Sequence, residues 1–162
     1  MKRTLRALAG LAVLCLLSSA GGAADKAGEH GDGHVIMPAD KLQWGENPVL
    51  PPGAKVAIIN GNPAKAGELY VVRAKLPDGY KVPPHWHPTD ENVTVLQGTM
   101  LFGVGERMDM AKTTAAPTGS FARMPAGVRH YAIAKGDTII QVHGIGPFDF
   151  TYVNPADDPR KK

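Results

Sequence analysis

Cysteine is almost absent from this 162-residue chain, whose single cysteine is Cys15. Cys15 lies inside an apolar run near the N-terminus, and the residues after that run contain no thiol. A disulfide framework and a cysteine-ligated metal site are therefore excluded for the rest of the chain. The chain also lacks a serine in a strained Gly-x-Ser-x-Gly elbow. Nucleophilic catalysis by a side chain is thus not expected.

An excess of charge is also lacking once the N-terminus is set aside. The chain has 18 Lys and Arg against 15 Asp and Glu, and three of the cations, Lys2, Arg3 and Arg6, precede every acidic residue. Residues 25–162 consequently carry 15 charges of each sign. Nucleic-acid binding depends on a positive surface, so no nucleic-acid partner is expected.

No apolar run is long enough for a comfortable membrane-spanning helix, which needs about 20 residues. The longest run, Leu5–Leu17, is broken only by Arg6, Gly10 and small residues, and it precedes small residues suited to cleavage. This pattern predicts a signal peptide over residues 1–24, a periplasmic or secreted protein, and no stable membrane anchor after cleavage. The alternatives are an uncleaved anchor and a lipoprotein acylated at Cys15. The bulky Leu14 and the apolar residues after Cys15 disfavour the lipoprotein.

A sustained helical period is missing as well, and the 14 prolines and 19 glycines argue against helix. Residues 25–52 are rich in Gly, Asp, His and Pro, which predicts a flexible N-terminal arm that reaches the folded domain near Leu42 and Trp44. Residues 53–162 form the predicted domain. There, short apolar runs separated by turn residues predict an all-β sandwich or barrel. The predicted strands are Val56–Ile59, Leu69–Leu76, Val93–Leu96, Thr99–Val104, Ser120–Met124, His130–Ala134, Thr138–His143 and Phe148–Val153, with residues 105–118 left as a loop.

A group of histidines and one glutamate carries the chemistry. His85 and His87 are two residues apart, so in a strand both side chains point to one face. Glu91 follows a predicted turn and opens the next strand, close enough to reach the same ion. His130 opens a strand directly after a Pro-Ala-Gly turn and is the candidate third imidazole. Three imidazoles and a carboxylate suit one divalent first-row metal, such as iron, manganese, nickel, copper or zinc.

The spacing of these residues resembles the two sequence motifs of the cupin superfamily. The first motif is matched at all five of its fixed positions, by Gly79, His85, His87, Glu91 and Gly98. The second is matched by Gly119, Pro125, Gly127 and His130. Ala134 stands where that motif has Asn, which puts only a local contact at the end of a strand in doubt.

The resemblance covers roughly residues 55–153 and implies a single cupin β-barrel of the jelly-roll type. It also implies that His85, His87, Glu91 and His130 are metal ligands, and that the protein forms a homodimer. More narrowly, the chain is similar to small exported bacterial single-domain cupins. The superfamily includes dioxygenases, isomerases, decarboxylases, storage proteins and sugar-binding domains, so the resemblance does not settle the reaction.

Two further polar residues, Gln141 and His143, are candidate neighbours of the metal or of a substrate pocket. Gln141 and His143 share a face of their predicted strand, and they would need buried partners if that face points inward. A structural histidine is the alternative for His143. On the face of His130, Ala132 and Ala134 would leave room beside the ion.

The leading functional hypothesis is a metal-dependent oxidoreductase of the dioxygenase type that acts on a small molecule. The second is a non-catalytic module that binds a metal or a small ligand. The third is a purely structural barrel, which would leave three buried imidazoles without partners. The first two share one ligand set, so only turnover separates them.

Overall fold

The computed structural model describes residues 34–162. The predicted signal peptide and residues 25–33 of the predicted arm lie outside the described residues. Eight strands form the fold: β1 Lys55–Asn60, β2 Leu69–Leu76, β3 Lys81–Trp86, β4 Glu91–Val104, β5 Thr114–Pro117, β6 Phe121–Met124, β7 His130–Ile145 and β8 Thr151–Tyr152. Four 3-10 turns accompany them at Ala39–Lys41, Met110–Lys112, Pro155–Asp157 and Pro159–Lys161. Within residues 34–162, no helix is long and apolar enough to cross a membrane.

Alternation of side chains along the strands builds the core. In β2, alternate residues from Tyr70 to Leu76 are buried, whereas Leu69 and Lys75 are exposed. The same alternation in the second half of β7 buries Ile140 and Val142. Because successive side chains of a strand point to opposite faces, each strand contributes one apolar face to a shared interior. The result is the all-β barrel that the sequence predicts.

Two long strands, β4 and β7, organise the barrel. They pair antiparallel along most of their length, from Asn92 opposite His143 to Val104 opposite His130. The first half of β7 also pairs with β3, and its second half pairs with β2. Likewise β4 pairs with β6 near its start and with β5 further along. Each long strand therefore pairs with different neighbours along its two halves, and all eight strands join in one antiparallel sheet.

Three predicted loops are wrong. The predicted turn at Gln97–Gly98 is a register shift within β4, and Lys135–Asp137 lies within β7. Gly98 has a positive φ of 75°, and a Cβ there would lie 2.5 Å from the Thr138 hydroxyl, so glycine permits the bend without ending the strand. Residues 105–118, predicted as a loop, contain β5, which is stabilised by pairing with Thr99–Phe102.

The described part of the predicted arm contacts the barrel in its second half. Gly45 forms a two-way backbone bridge with Val56 of β1, with N–O distances of 2.9 and 2.8 Å. Leu42 is buried, and Val49 and Leu50 pack against the core. Residues 45–50 therefore form a wall segment of the barrel interior.

Candidate metal centre

The three histidines converge because their strands are neighbours. His85 lies near the end of β3 and is paired directly with His130, the first residue of β7. His87 follows two residues later, immediately after β3. All three are buried, and one ring nitrogen from each lies within 4.8 Å of the others. Residues 45 positions apart in sequence thus form one cluster.

Local hydrogen bonds fix the position of the turn that precedes His130. The backbone NH of Gly127 donates to the carbonyl of His87 at 2.9 Å. The Asp90 carboxylate accepts from the backbone NH of Ala126 at 2.9 Å and from Nε of Arg123 at 3.1 Å. These bonds tie the turn before His130 to the loop that joins His87 to β4.

Each imidazole has one nitrogen committed to a backbone carbonyl. Nδ1 of His85 donates to Pro83 O at 2.7 Å, Nδ1 of His87 to Asp149 O at 2.7 Å, and Nδ1 of His130 to Val128 O at 2.9 Å. A carbonyl oxygen only accepts, so Nδ1 carries the proton in each ring. In the neutral rings, Nε2 presents a lone pair to the shared interior. Such a partner on the far nitrogen is the usual arrangement for a metal-binding histidine.

Glu91 lies beside the cluster, against two of the rings. Its Oε2 atom is 3.2 Å from Nε2 of His130 and 3.5 Å from Nε2 of His87. Both contacts join two acceptors when the rings are neutral, and neither Nε2 atom has a hydrogen-bond partner among the described residues. One proton could bridge only one such pair. A divalent cation satisfies all of these atoms at once, so the donor set fits a metal.

The surroundings of His85 and Glu91 favour the neutral imidazole and the ionised carboxylate, which are the forms that bind a metal. Burial, followed by the charges of His130 and His87, lowers the pKa of His85 to about 3. Burial by itself raises the pKa of Glu91, but hydrogen bonds and positive charge from the rings of His130 and His87, when these are protonated, outweigh it and hold that pKa below its usual range. At neutral pH, His85 is therefore neutral and Glu91 is ionised, as metal ligation requires.

The segment between β7 and the C-terminus supports the centre from outside. Phe150 stacks on His85 with ring centroids 4.8 Å apart. Arg160 donates from Nη2 to Phe150 O at 2.9 Å and from Nη1 to the Asp149 carboxylate at 3.3 Å. The backbone carbonyl of Asp149 accepts the hydrogen bond from Nδ1 of His87. Arg160 therefore helps to fix the position of the carbonyl that orients this ring. The alternating aromatic residues at 148, 150 and 152 are a sequence pattern that could have predicted this part of the wall. No sequence pattern predicts that the backbone carbonyl of Asp149 contacts His87.

A cavity of about 350 Å³ adjoins the cluster. His85, Glu91 and His130 contribute to its wall, and the remaining lining side chains are mostly aliphatic or aromatic. Ala132 lines it as predicted, which leaves open space next to His130. Trp86 points away from the cavity, and the Arg129 guanidinium lies 5.8 Å from its ring.

The suggested inward position of Gln141 and His143 is wrong. Ile140 and Val142 of the same strand line the cavity, so the alternation places Gln141 and His143 on the outer face. There, Gln141 accepts a hydrogen bond from Nε of Arg73 at 3.0 Å. In a continuous β7, even-numbered residues share the inward face of His130, so Gln141 and His143 point outward. A turn at Lys135–Asp137, as predicted from the sequence, removes this relation between the two halves of the strand.

Comparison with known proteins agrees with this architecture. Residues 72–146 match the family model of the cupin domain. No curated protein sequence matches the chain.

Several solved structures share the fold. A polyketide cyclase, RemF from Streptomyces resistomycificus, is 17% identical with a TM-score of 0.61, covering 78% of this chain and 89% of its own. A protein from Methylibium petroleiphilum, provisionally described as an acetylacetone dioxygenase, is 18% identical with a TM-score of 0.58, covering 76% and 83%. KdgF from Halomonas sp. is 19% identical with a TM-score of 0.54, covering 68% and 93%.

At these identities the structural likenesses show the fold, which is a cupin β-barrel. Together with the domain match, they support the cupin superfamily. Within that fold, the cluster of His85, His87 and His130 suggests a divalent metal site.

Proposed function

We propose that this cupin barrel binds one divalent transition metal through His85, His87, His130 and Glu91 and is a metal-dependent oxidoreductase of the dioxygenase type. The observation that carries the metal site is the set of committed Nδ1 atoms, which leaves the buried Nε2 atoms of His87 and His130 without partners beside a carboxylate. The choice of reaction rests on the apolar cavity next to that site and on the fold shared with a provisionally described dioxygenase.

The side chains of the centre have separate tasks. The three imidazoles would hold the ion through Nε2, since Nδ1 of each ring donates to a backbone carbonyl. Glu91 would offset part of the positive charge of the bound ion, and its carboxylate lies beside the Nε2 atoms of His87 and His130. The apolar side chains that line the cavity give the centre a surrounding of low polarity on that side, which strengthens electrostatic interactions there. When bound, the metal would supply Lewis acidity and access to redox chemistry with dioxygen.

An oxygen electrode tests the reaction. The protein is loaded in turn with Fe(II), Mn(II), Ni(II) and Cu(II), with acetylacetone and a catechol as trial substrates. We expect substrate-dependent uptake with at least one metal, both oxygen atoms entering the product, and no uptake by the His85→Ala/His130→Ala variant. Absence of uptake with every metal and both substrates would count against the oxidoreductase.

A second candidate is a module that binds a metal or a small ligand without turnover. One observation favours it: among the described residues that line the cavity, Glu46 is the only carboxylate apart from Glu91, and it is exposed and paired with Lys55. A side chain placed to move protons at the centre is therefore missing from the described wall. Saturable binding with unchanged ligand recovered after long incubation would support this candidate.

From the N-terminal pattern of residues 1–24 we also propose that the protein is exported to the periplasm or outside the cell. The mass of the chain recovered from an osmotic-shock fraction tests it. A chain that begins near residue 25 is expected, and a full-length chain retained in membranes would contradict it.

A further inference from the structure

The cavity beside the metal centre has a wall almost without charge. Its lining comes from β1, β2, β3, β4 and β7, from Phe148 and Phe150, and from the segment 46–50. No lysine or arginine is among the lining residues described. Apart from the centre, the polar side chains of the wall are Glu46 and Asn47.

This wall selects against charged and polyhydroxylated ligands. A carboxylate or phosphate remote from the metal would be buried without a cationic partner, and an unpaired buried charge is strongly disfavoured. A sugar would leave several hydroxyl groups without hydrogen bonds, each at a cost. Only the end of a ligand that faces the three histidines and Glu91 meets polar groups.

The volume of the cavity and its aromatic side chains further limit the class of ligand that it can bind. A cavity of about 150 Å³ in another protein holds benzene, and this one measures about 350 Å³. It therefore has room for roughly one or two rings. Phe102, Phe148 and Phe150 contribute ring surface to the wall, and Phe150 is held in place by stacking on His85. Ring faces and edges favour a planar, unsaturated ligand.

The N-terminal segment forms part of one side of the cavity. Val49 and Leu50 line the cavity, and the segment is held by two buried tyrosines. The hydroxyl of Tyr152 donates to Val49 O at 2.7 Å, and that of Tyr80 donates to Pro51 O. This part of the chain therefore covers the ligand with apolar surface and adds no charge apart from the exposed Glu46.

We infer that the cavity binds a neutral, planar, apolar molecule of one or two rings that carries its oxygen atoms at the end facing His85, His130 and Glu91. This inference rests on the proposed function, because it names the ligand class of the same site. It needs no metal to be tested, since the apolar wall exists in the metal-free chain.

Calorimetric titration of the metal-free protein with 2-naphthol, 2-naphthoate and glucose tests the inference. The first two probes share one ring system and differ in charge. We expect 2-naphthol to bind at least roughly tenfold more tightly than 2-naphthoate, and glucose not to bind. Equal binding of the two naphthalenes, or preferential binding of glucose, would overturn the inference.

Neighbouring residues of β7 provide a matched pair of variants. Val142→Phe fills the cavity, whereas His143→Phe adds the same ring to the outer face. We expect Val142→Phe to weaken 2-naphthol binding at least roughly tenfold and His143→Phe to change it less than about twofold. Ala74→Leu, which also fills the cavity from β2, replaces Val142→Phe if that variant does not fold. Unchanged binding in a folded cavity-filling variant would overturn the inference.

The two proposals fail in different ways. A protein that takes up metal but does not bind 2-naphthol contradicts the ligand class alone. A protein that binds 2-naphthol but takes up no metal contradicts the proposed function and supports the ligand class.

Discussion

The metal centre and the rest of the cavity wall are adjacent, yet they are specified in different ways. At the centre, each histidine has a hydrogen-bond partner for Nδ1, and each ring contacts another ring of the group. In the remainder of the wall, aliphatic and aromatic side chains contribute surface without directed bonds. Metal binding at the centre should therefore depend on individual atoms, whereas stability and ligand binding at the rest of the wall should depend on side-chain volume and polarity. Substitutions in the two regions should therefore have different effects.

The largest expected change is in metal affinity after Glu91→Gln. Glutamine keeps the shape but removes the negative charge that lies 3.2 Å from His130 Nε2. Loss of a partner outside the ligand set costs 10- to 100-fold, so loss of a charged ligand should weaken metal binding by more than roughly 100-fold. Competition with a chelator measures this. Glu68→Gln, at a glutamate that pairs with Lys65 outside the centre, is the control, and equal effects of the two would show that Glu91 is no ligand.

A core substitution should show the opposite pattern. Met100 is buried and lines the cavity, and it is not among the proposed ligands. Met100→Ala should lower the free energy of unfolding by about 2–5 kcal/mol while metal stoichiometry stays unchanged. Denaturant unfolding of the metal-free protein gives the first quantity, and elemental analysis the second. Loss of metal from this folded variant would break the distinction between centre and wall.

Acid should destabilise the metal-free protein through the centre. The pKa of His85 is lowered from 6.5 to about 3 in the folded state, so the unfolded chain binds a proton that the folded chain refuses. The free energy of unfolding therefore falls as pH drops from 6.5 towards 3, by up to roughly 1.4 kcal/mol per pH unit for this group. His85→Phe should flatten this slope, and Trp86→Phe, at the adjacent outward position, should retain it. Identical slopes in both variants would contradict the assignment.

A smaller effect is expected at the outer support of His87. Arg160→Ala removes the bonds to Asp149 and Phe150, so the carbonyl that orients His87 is held less firmly. Metal affinity should fall by about tenfold with little change in melting temperature. Lys161→Ala, an exposed neighbour, is the matched control. A large loss of stability without loss of affinity would assign Arg160 a purely structural role.

The proximity of His85, His87, Glu91 and His130 is more predictable than the surrounding wall, because these residues are close in sequence or open a strand. His85 and His87 share a face by alternation, and Glu91 lies across one short turn, so local rules sufficed. The continuity of β4 and β7 was missed because glycine at 98 and 136 predicts a turn as readily as a bend. The outward position of His143 followed from that error. The contact of His87 with Asp149 O joins residues far apart and depends on the closed barrel, which no local pattern encodes.

The most direct test of the metal centre is elemental analysis of the protein purified without chelator, beside His85→Ala/His130→Ala and the outer-face variant His143→Ala. We predict about one equivalent of a transition metal in the unmodified protein and in His143→Ala, and almost none in the double variant. No metal in the unmodified protein after reconstitution, or equal metal in all three proteins, would contradict the account.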